Sequence, residues 1–216
     1  MNKGSGAKFA AADVNLRLSA ARLRPLLPEA IEKFDAYLAL ILRWNARTNL
    51  TAVRDAEGII GRHFVESIAC AQLLPEGIAS LLDFGSGAGF PGIPIAICRP
   101  EIQVALAESQ NKKAAFLQEA SRTLNLSFRV FAGRAETMNE RFDCVAMRAV
   151  DRMEEAVSAA AGLVGPAGWL AVMTTLAEIP AIESADGDNF SWSRPLDLPG
   201  SDQRVLLLGR KQAAQP

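Results

Sequence analysis

The chain has little of the chemistry that builds protein metal centres. Its 216 residues include one histidine and three cysteines, Cys70, Cys98 and Cys144, which lie far apart in apolar surroundings. There is no CxxC pair and no Cys/His cluster, whereas zinc sites need such ligands at close spacing. We therefore expect no bound metal, and we expect the three thiols to be core residues.

Long apolar segments are also missing. No stretch approaches the roughly 20 consecutive apolar residues that a membrane-spanning helix needs. The N-terminal segment MNKGSGAKFAAADVNLR lacks the apolar core of a signal peptide. We expect a cytoplasmic protein without membrane contact, with roughly the first 20 residues as a flexible lead-in. No feature points to an obligate dimer, so we expect a monomer.

The chain has almost no net charge, but its basic and acidic residues are unevenly distributed along the sequence. The net charge is −1, yet residues 1–54 contain nine Lys/Arg against four Asp/Glu, and the rest of the chain is acidic. A basic part on an acidic body suggests a polyanionic partner such as nucleic acid, although a solvated helix face has the same composition. The candidates for phosphate contact are Arg43, Arg47, Arg54 and Arg62.

The first third of the chain has the pattern of amphipathic helices. Residues 28–47 place apolar side chains at helical spacing after Pro28, which suits a first turn. Residues 55–74 begin with Asp55 as a candidate N-cap and carry a second apolar stripe, formed by Ile59, Phe64 and Ile68. We interpret residues 1–76 as an N-terminal helical extension.

After residue 77 the chain alternates between short apolar runs and amphipathic helices. This order predicts βαβ units on a parallel sheet, an α/β Rossmann-like core spanning 77–216 that packs with the extension as one unit. The predicted strands are 78–84, 102–108, 126–133, 141–149 and 168–176, and the predicted helices are 111–125 and 153–164. Residues 189–198 and 203–210 predict a final antiparallel pair joined by a turn.

A glycine loop follows the first predicted strand. Gly85, Gly87 and Gly89 alternate with small residues, and such loops allow a ligand to approach the backbone closely. The dinucleotide fingerprint G-x-G-x-x-G requires glycine at the sixth position, where this chain has Phe90. The loop therefore does not match a site for NAD.

The residues around the loop favour a ligand without phosphate. Pro91 and Pro94 lack the N–H groups that a phosphate-binding helix start uses. S-adenosylmethionine consists of an amino acid, a sulfonium, a ribose and an adenine, and needs no such donors. Asp83, just before the loop, could face its ammonium group or order a water molecule.

Further polar residues follow the other predicted strands. Glu108 lies 25 residues after Asp83, where an acid accepts hydrogen bonds from ribose hydroxyls. Ala135 and Glu136 are placed to contact an adenine through a backbone N–H and a carboxylate, and Arg148 ends the fourth strand. Carboxyl ends of parallel strands converge at one edge of the sheet, so these residues predict one site.

Several motifs together resemble one known family. They are WNARTNLTAVRD, HFVESI, LLDFGSGAGFPGIPIAICRP, NKKAAFLQ, GRAE and FDCVAMRA, and the match runs from about Trp44 to Leu176. The chain is similar to the RsmG/GidB family, bacterial methyltransferases for N7 of a guanine in 16S ribosomal RNA. The resemblance implies the seven-stranded class I methyltransferase sheet with an N-terminal helical extension, and S-adenosylmethionine as cofactor.

The resemblance also implies roles for individual residues. By position, it assigns cofactor contacts to the following residues: Gly85 and Phe90 of the glycine loop, Glu108 at the ribose, Ala135 and Glu136 at the adenine, and Arg148. Asn49, His63, Arg134 and Arg148 match polar positions that the family uses toward RNA. One departure is the stretch VMTTLAE, which has Thr174 and Thr175 where the family often has a lysine.

Guanine N7 carries a free lone pair, so its methylation needs in-line alignment and no general base. Arg148 is the candidate for positioning the base through O6, and it could instead serve the cofactor carboxylate. Two other functions remain open from the residues: a class I methyltransferase acting on another RNA or a small molecule, and a non-catalytic module that binds S-adenosylmethionine or NAD. The basic N-terminal third and the family motifs favour 16S rRNA or the 30S particle as partner.

Overall fold

The computed structural model describes residues 11–148, 152–185 and 189–212. Residues 1–10 of the expected lead-in, and Ala149 at the expected end of the fourth strand, lie outside these ranges. The expectation of a flexible N-terminus is wrong for residues 11–20, which form a helix whose Val14 and Leu18 are fully buried.

Within the described residues, eight strands form one sheet in the order β3-β2-β1-β4-β5-β8-β6, and β7 also pairs with β8. The strands are β1 (Ser80–Phe84), β2 (Gln103–Ala107), β3 (Arg129–Phe131), β4 (Phe142–Arg148), β5 (Val164–Thr175), β6 (Phe190–Trp192), β7 (Leu196–Asp197) and β8 (Arg204–Lys211). Strands β1 to β5 run parallel, and β8 is antiparallel to its neighbours. The predicted α/β class and antiparallel end are confirmed.

Two details of the sheet differ from the prediction. Residues 189–198 form two short strands instead of one, because Pro195 lies between them and has no N–H for a ladder hydrogen bond. The described sheet therefore has eight strands where seven were expected. Strand β5 begins at Val164, four residues early, and reaches its regular register with β4 only after a shift that places Trp169 opposite Cys144.

The helices cover both faces of the sheet. They are α1 (Ala11–Ala20), α2 (Pro28–Asn45), α3 (Ala56–Gly58), α4 (Val65–Leu73), α5 (Gly92–Cys98), α6 (Asn111–Leu124), α7 (Met153–Leu163) and α8 (Ile179–Ala185). One buried cluster joins α2, α4, α5 and α6 to one face, and a second joins α7 and α8 to the other. The N-terminal helices therefore share a core with the strands that carry the glycine loop.

The second predicted helix is not α-helical throughout. Asp55 caps its start by accepting a hydrogen bond from the Gly58 N–H at 2.7 Å, as predicted. Residues Ile59–Phe64 then form a π-helical turn before α4. Its i→i+5 hydrogen bonds suit the five-residue spacing of Ile59 and Phe64, so that both side chains are fully buried.

Candidate active site

The glycine loop lies between β1 and α5, at the point where the sheet order reverses. Gly85, Gly87 and Gly89 all have positive φ, at 72°, 58° and 91°, a conformation that other residues rarely adopt. For a Cβ atom added at Gly87, the nearest atom would be the Gly85 carbonyl oxygen, 4.0 Å away. A Cβ atom added at Gly89 would lie 2.8 Å from Tyr37 Oη. Gly87 thus borders open space for a ligand, and Gly89 faces the core.

Tyr37 of α2, a residue without a predicted role, holds this loop. Its fully buried hydroxyl donates a hydrogen bond to the Ala88 carbonyl. Its ring lies 5.2 Å from the ring of Phe64 and 5.5 Å from that of Phe90. The N-terminal helices therefore contribute directly to the shape of the loop. The available signal was its place beside Phe34 and Leu38 on the apolar stripe of α2.

Asp83 is fully buried beneath the loop. Its Oδ2 accepts a hydrogen bond from the Gly92 N–H at 3.0 Å, and a Cβ at Gly92 would lie 2.6 Å from that oxygen. Within the described chain, Oδ1 has no hydrogen-bond partner. Burial raises the pKa of Asp83 to about 7. An orphaned buried acceptor of this kind fits a cationic ligand group such as an ammonium.

The start of α5 has few donors to offer a phosphate. The Gly92 N–H is bonded to Asp83, the Ile93 N–H donates to the Gly89 carbonyl at 2.8 Å, and Pro94 has no N–H. A phosphate-binding helix start needs such N–H groups to point at the ligand. The local hydrogen bonding therefore agrees with the prediction of a ligand without phosphate at this loop.

Glu108 follows β2 and ties it to the loop. The residue is 6% exposed, Oε2 accepts a hydrogen bond from the Gly87 N–H at 2.9 Å, and Oε1 accepts one from the Gln110 N–H at 2.7 Å. Each carboxylate oxygen can accept a second hydrogen bond. Glu108 can therefore hold the loop and still receive a ribose hydroxyl.

A cavity of about 340 Å³ lies at the carboxyl ends of β1, β2 and β3. It brings together predicted cofactor residues from three strands, namely Gly85, Glu108, Ala135 and Glu136. Arg134, which was predicted to contact RNA, lines the same cavity and is exposed. The other predicted cofactor residues are not among its lining residues, namely Asp83, Gly87, Gly89, Phe90 and Arg148. The arrangement fits the cofactor predicted from sequence, because an acidic residue, open glycine backbone and polar groups converge at one cavity.

A second cavity of about 330 Å³ lies at the same edge of the sheet, at the ends of β4 and β5. Its wall includes Arg148, Thr174 and Thr175 from these strands, Glu178 after β5, and Arg204 from β8. Because β4 is the neighbour of β1, the two cavities lie on adjacent parts of the sheet edge.

Glu66 organises the positive charge of this second cavity. Its carboxylate is 1% exposed and lies 2.8 Å from Arg148 Nη2 and 2.7 Å from Arg204 Nε. Arg148 Nη2 also donates to the Arg62 carbonyl at 2.8 Å. Burial raises the pKa of Glu66, and the surrounding arginines, Arg148 first, oppose that shift. The sequence signal for Glu66 was its position in the motif HFVESI, which carries no sign of its partners.

His63 is packed against the glycine loop. Its Nε2 lies 2.9 Å from Thr51 Oγ1, and its ring stacks on Phe90 with centroids 4.9 Å apart. Burial lowers the pKa of His63 to about 3, with the charge of Arg148 as the next cause. The ring is therefore neutral near pH 7, and it lines the second cavity.

Asn49, the other predicted RNA residue of the N-terminal region, lies apart from these groups. It is exposed, and its Oδ1 accepts a hydrogen bond from Arg54 Nη2 at 2.7 Å. This contact joins it to one of the predicted phosphate-contacting arginines. The four residues predicted to face RNA are thus dispersed. Asn49 lies on the surface, Arg134 lines the first cavity, and His63 and Arg148 line the second.

The described ranges contain no group of three His, Cys, Asp or Glu side chains arranged to hold a metal ion. In the same ranges, no helix has both the length and the apolar character needed to cross a membrane. Cys70 and Cys144 are buried and Cys98 is partly buried, and all three are free thiols.

Comparisons with known proteins agree with one another. The family model described as "GidB: rRNA small subunit methyltransferase G" matches residues 30–190. A Xanthomonas oryzae protein named ribosomal RNA small subunit methyltransferase G is 41% identical over 182 residues, 81% of this chain and 84% of that protein. Its namesake from Stenotrophomonas maltophilia is 40% identical over 86% and 85%. A third, from Roseiflexus, is 49% identical, but the match spans 54% of that protein.

Solved structures resemble the fold at low sequence identity. A methyltransferase from Pyrococcus furiosus superposes with a TM-score of 0.57 at 13% identity, covering 66% of this chain and 80% of that one. A ribosomal protein L11 methylase from Lactobacillus delbrueckii gives 0.56 at 13% identity, over 68% and 77%. These similarities place the sheet among methyltransferase folds.

Proposed function

The chain belongs to the GidB family, the family of rRNA small subunit methyltransferase G, and we propose that it transfers a methyl group from S-adenosylmethionine to N7 of a guanine in 16S ribosomal RNA. The observation that carries this proposal is the pair of adjacent cavities at one edge of the sheet. The first has a carboxylate and open glycine backbone for a nucleoside, and the second has positively charged walls for RNA.

The first cavity and the loop would hold the cofactor, which supplies a methyl group activated by a sulfonium. Glu108 accepts hydrogen bonds from the ribose hydroxyls, and the free Asp83 Oδ1 receives the ammonium group. The backbone N–H of Ala135 and the carboxylate of Glu136 contact the adenine. Gly85, Gly87 and Gly89 shape the loop around the amino-acid end, and Phe90 supports it from the side of His63.

The second cavity would hold the target guanine. N7 has its own lone pair for the new bond to the methyl carbon, and the bond from that carbon to sulfur would break with its electron pair going to sulfur. The chain would therefore need only to align the base and to exclude water. Arg148 is held in place by Glu66 and by the Arg62 carbonyl. This rigid placement suits a donor to guanine O6, which leaves N7 free. The same placement also allows Arg148 to contact the cofactor carboxylate.

The helical region, residues 1–76, would provide the approach for RNA, and residues 77–216 would carry the chemistry. Asn49 with Arg54 forms one contact on the surface, and Arg134 forms another at the rim of the first cavity. Binding through arginines should weaken steeply with salt, because phosphate neutralisation releases counterions. We propose a cytoplasmic monomer acting on 16S rRNA or on the 30S particle.

The test is methyl transfer from labelled S-adenosylmethionine to small-subunit particles and to naked 16S rRNA. We expect label at a single guanine, and cleavage at that position by the chemistry specific for N7-methylguanine. Calorimetry should show binding of S-adenosylmethionine and none of NAD. Label on protein alone, or on another RNA, would reject the substrate, and equal affinity for NAD would reject the cofactor site.

A further inference from the structure

Glu178, three residues after the end of β5, presents a carboxylate to the second cavity. Its Oε2 accepts three hydrogen bonds, from Thr174 Oγ1 at 2.7 Å, from Thr175 Oγ1 at 3.0 Å and from the Thr175 N–H at 3.2 Å. In the part of the chain that the structure describes, no donor bonds to Oε1 and no Lys or Arg forms an ion pair with Glu178. One oxygen is therefore fixed and the other is available.

The carboxylate of Glu178 lies in a cavity wall whose other charged side chains are mostly arginines. The cavity is lined by Arg62, Arg148 and Arg204, and its other acid, Glu66, is paired with two of them. The hydroxyl of Thr174 is the first cause that lowers the pKa of Glu178, so the group is ionised near neutral pH. The cavity thus has a positive side and a separate negative group, and it suits a ligand that offers both acceptors and donors.

Guanine is such a ligand. Its Watson–Crick edge presents two adjacent donors, N1–H and the 2-amino group, whereas adenine, cytosine and uracil each place an acceptor beside their donor. Carboxylates accept hydrogen bonds and donate none when ionised. The edge lies on the opposite side of the base from N7, so a contact there leaves N7 exposed to a methyl donor.

We propose that Glu178 Oε1 accepts a hydrogen bond from the 2-amino group on the Watson–Crick edge of the target guanine and so determines base specificity. This inference rests on the proposed function, because it assigns the second cavity to the target base. Thr174 and Thr175 are positioning residues that fix Oε2 and orient the free oxygen.

A simpler role for Glu178 is helix capping. Thr175 and Glu178 form a capping box at the short 3₁₀ turn Leu176–Glu178, and such a cap stabilises a turn without any ligand. Capping uses Oε2 only, and it makes no demand on the base of the RNA. Specificity for one base therefore separates the two roles.

The substitution Glu178→Gln distinguishes base recognition from helix capping. The Thr175 N–H requires an acceptor, so it keeps the amide oxygen at the position of Oε2 and retains the cap. The amide NH₂ group then replaces Oε1 and turns a donor toward the donors of guanine. Glu183→Gln on α8 is the matched control, because Glu183 is exposed and does not line the cavity.

The experiment compares an RNA carrying guanosine at the methylated position with one carrying inosine, which keeps N7, O6 and N1–H but lacks the 2-amino group. We expect the wild type to prefer guanosine by about tenfold in kcat/KM, the usual effect of one good base contact. Glu178→Gln should lose about tenfold on guanosine and reduce the preference to within about twofold, with unchanged binding of S-adenosylmethionine. Glu183→Gln should behave as wild type.

The two RNAs are also compared by equilibrium binding in the presence of S-adenosylhomocysteine, which allows no transfer. If Glu178→Gln keeps the wild-type preference for guanosine in both assays, or lowers only the melting temperature, the inference is overturned. If the wild type transfers no methyl group but Glu178 still controls the preference in binding, the proposed reaction fails and the role of Glu178 stands.

Discussion

The ring of His63 stacks on the ring of Phe90, with centroids 4.9 Å apart and planes inclined by 21°. This contact joins the π-helical turn of the N-terminal region to the last residue of the glycine loop. It requires a neutral imidazole, because burial and three nearby arginines oppose a positive charge there.

The first prediction concerns the stability of the protein in acid. The pKa of His63 falls from 6.5 to about 3 on folding, so between these values the unfolded chain binds a proton that the folded chain does not. Stability should therefore fall as the pH drops below about 6.5, by at most about 1.4 kcal/mol per pH unit from this group. Urea unfolding near pH 7.5 and near pH 5 should show a smaller loss for His63→Gln than for the wild type.

Asp83 contributes with the opposite sign, because its raised pKa stabilises the fold most below about 3.8 and loses that effect as the pH rises toward 7. This contribution is present in both proteins and cancels from their comparison. Equal pH dependence of the two proteins would show that His63 takes up its proton in the folded state.

The second prediction concerns the pH dependence of cofactor binding. The pKa of Asp83 is about 7, and an ammonium group beside its free Oδ1 would favour the ionised form. S-adenosylmethionine should therefore bind more tightly as the pH rises from about 6 to about 8, and binding near neutral pH should release a proton. Calorimetry in buffers of different ionisation enthalpy measures this release. Asp83→Asn should abolish the release, and a wild type that releases none would place the ammonium elsewhere.

The third prediction concerns Glu108. Glu108→Ala should weaken binding of S-adenosylmethionine by roughly tenfold or more, because it removes the ribose acceptor and the bonds from the Gly87 and Gln110 N–H groups. Glu136→Ala, at an exposed position of the same cavity, should have a smaller effect. Calorimetry measures both affinities. A Glu108→Ala protein with wild-type affinity would remove this residue from the cofactor site.

The fourth prediction concerns the buried ion pairs. Glu66→Ala should cost roughly 3–5 kcal/mol of stability, because it leaves Arg148 buried without a counter-charge. The control is Glu140→Ala, which breaks a pair with Arg129 whose side chains are 56% and 43% exposed, and which should cost at most about 1 kcal/mol. Urea unfolding measures both. Similar losses for the two variants would show that the Glu66 pair is hydrated in solution.

The strands and the glycine loop that line the first cavity could be predicted from the sequence. The runs 78–84 and 102–108 are mostly apolar because β1 and β2 are central parallel strands covered on both faces. Because these strands are parallel, the glycine and acidic residues that follow them lie at the same edge of the sheet. For this reason Gly85 and Glu108 could be assigned to one site before any coordinates.

The second cavity could not be predicted in the same way. Glu66 and Arg148 are 82 residues apart, and no local pattern records that one neutralises the other. His63 could be singled out as the one histidine, but its neutral state depends on its burial and on the charge of Arg148, which is distant in the sequence. The five-residue spacing of Ile59 and Phe64 was visible, yet it was assigned to an ordinary helix, because π-helical turns are rare.

The hydrogen bond from Tyr37 to the Ala88 carbonyl has a consequence for exchanging parts between related enzymes. A helical region taken from a relative and joined to this sheet would replace the side chain that fixes the curvature of the glycine loop. Such a chimaera would need Tyr37, Phe64 and Phe90 to be transferred as a group, since their rings contact one another. The N-terminal helical region is therefore not an exchangeable module, and substitutions made there will also alter the shape of the glycine loop.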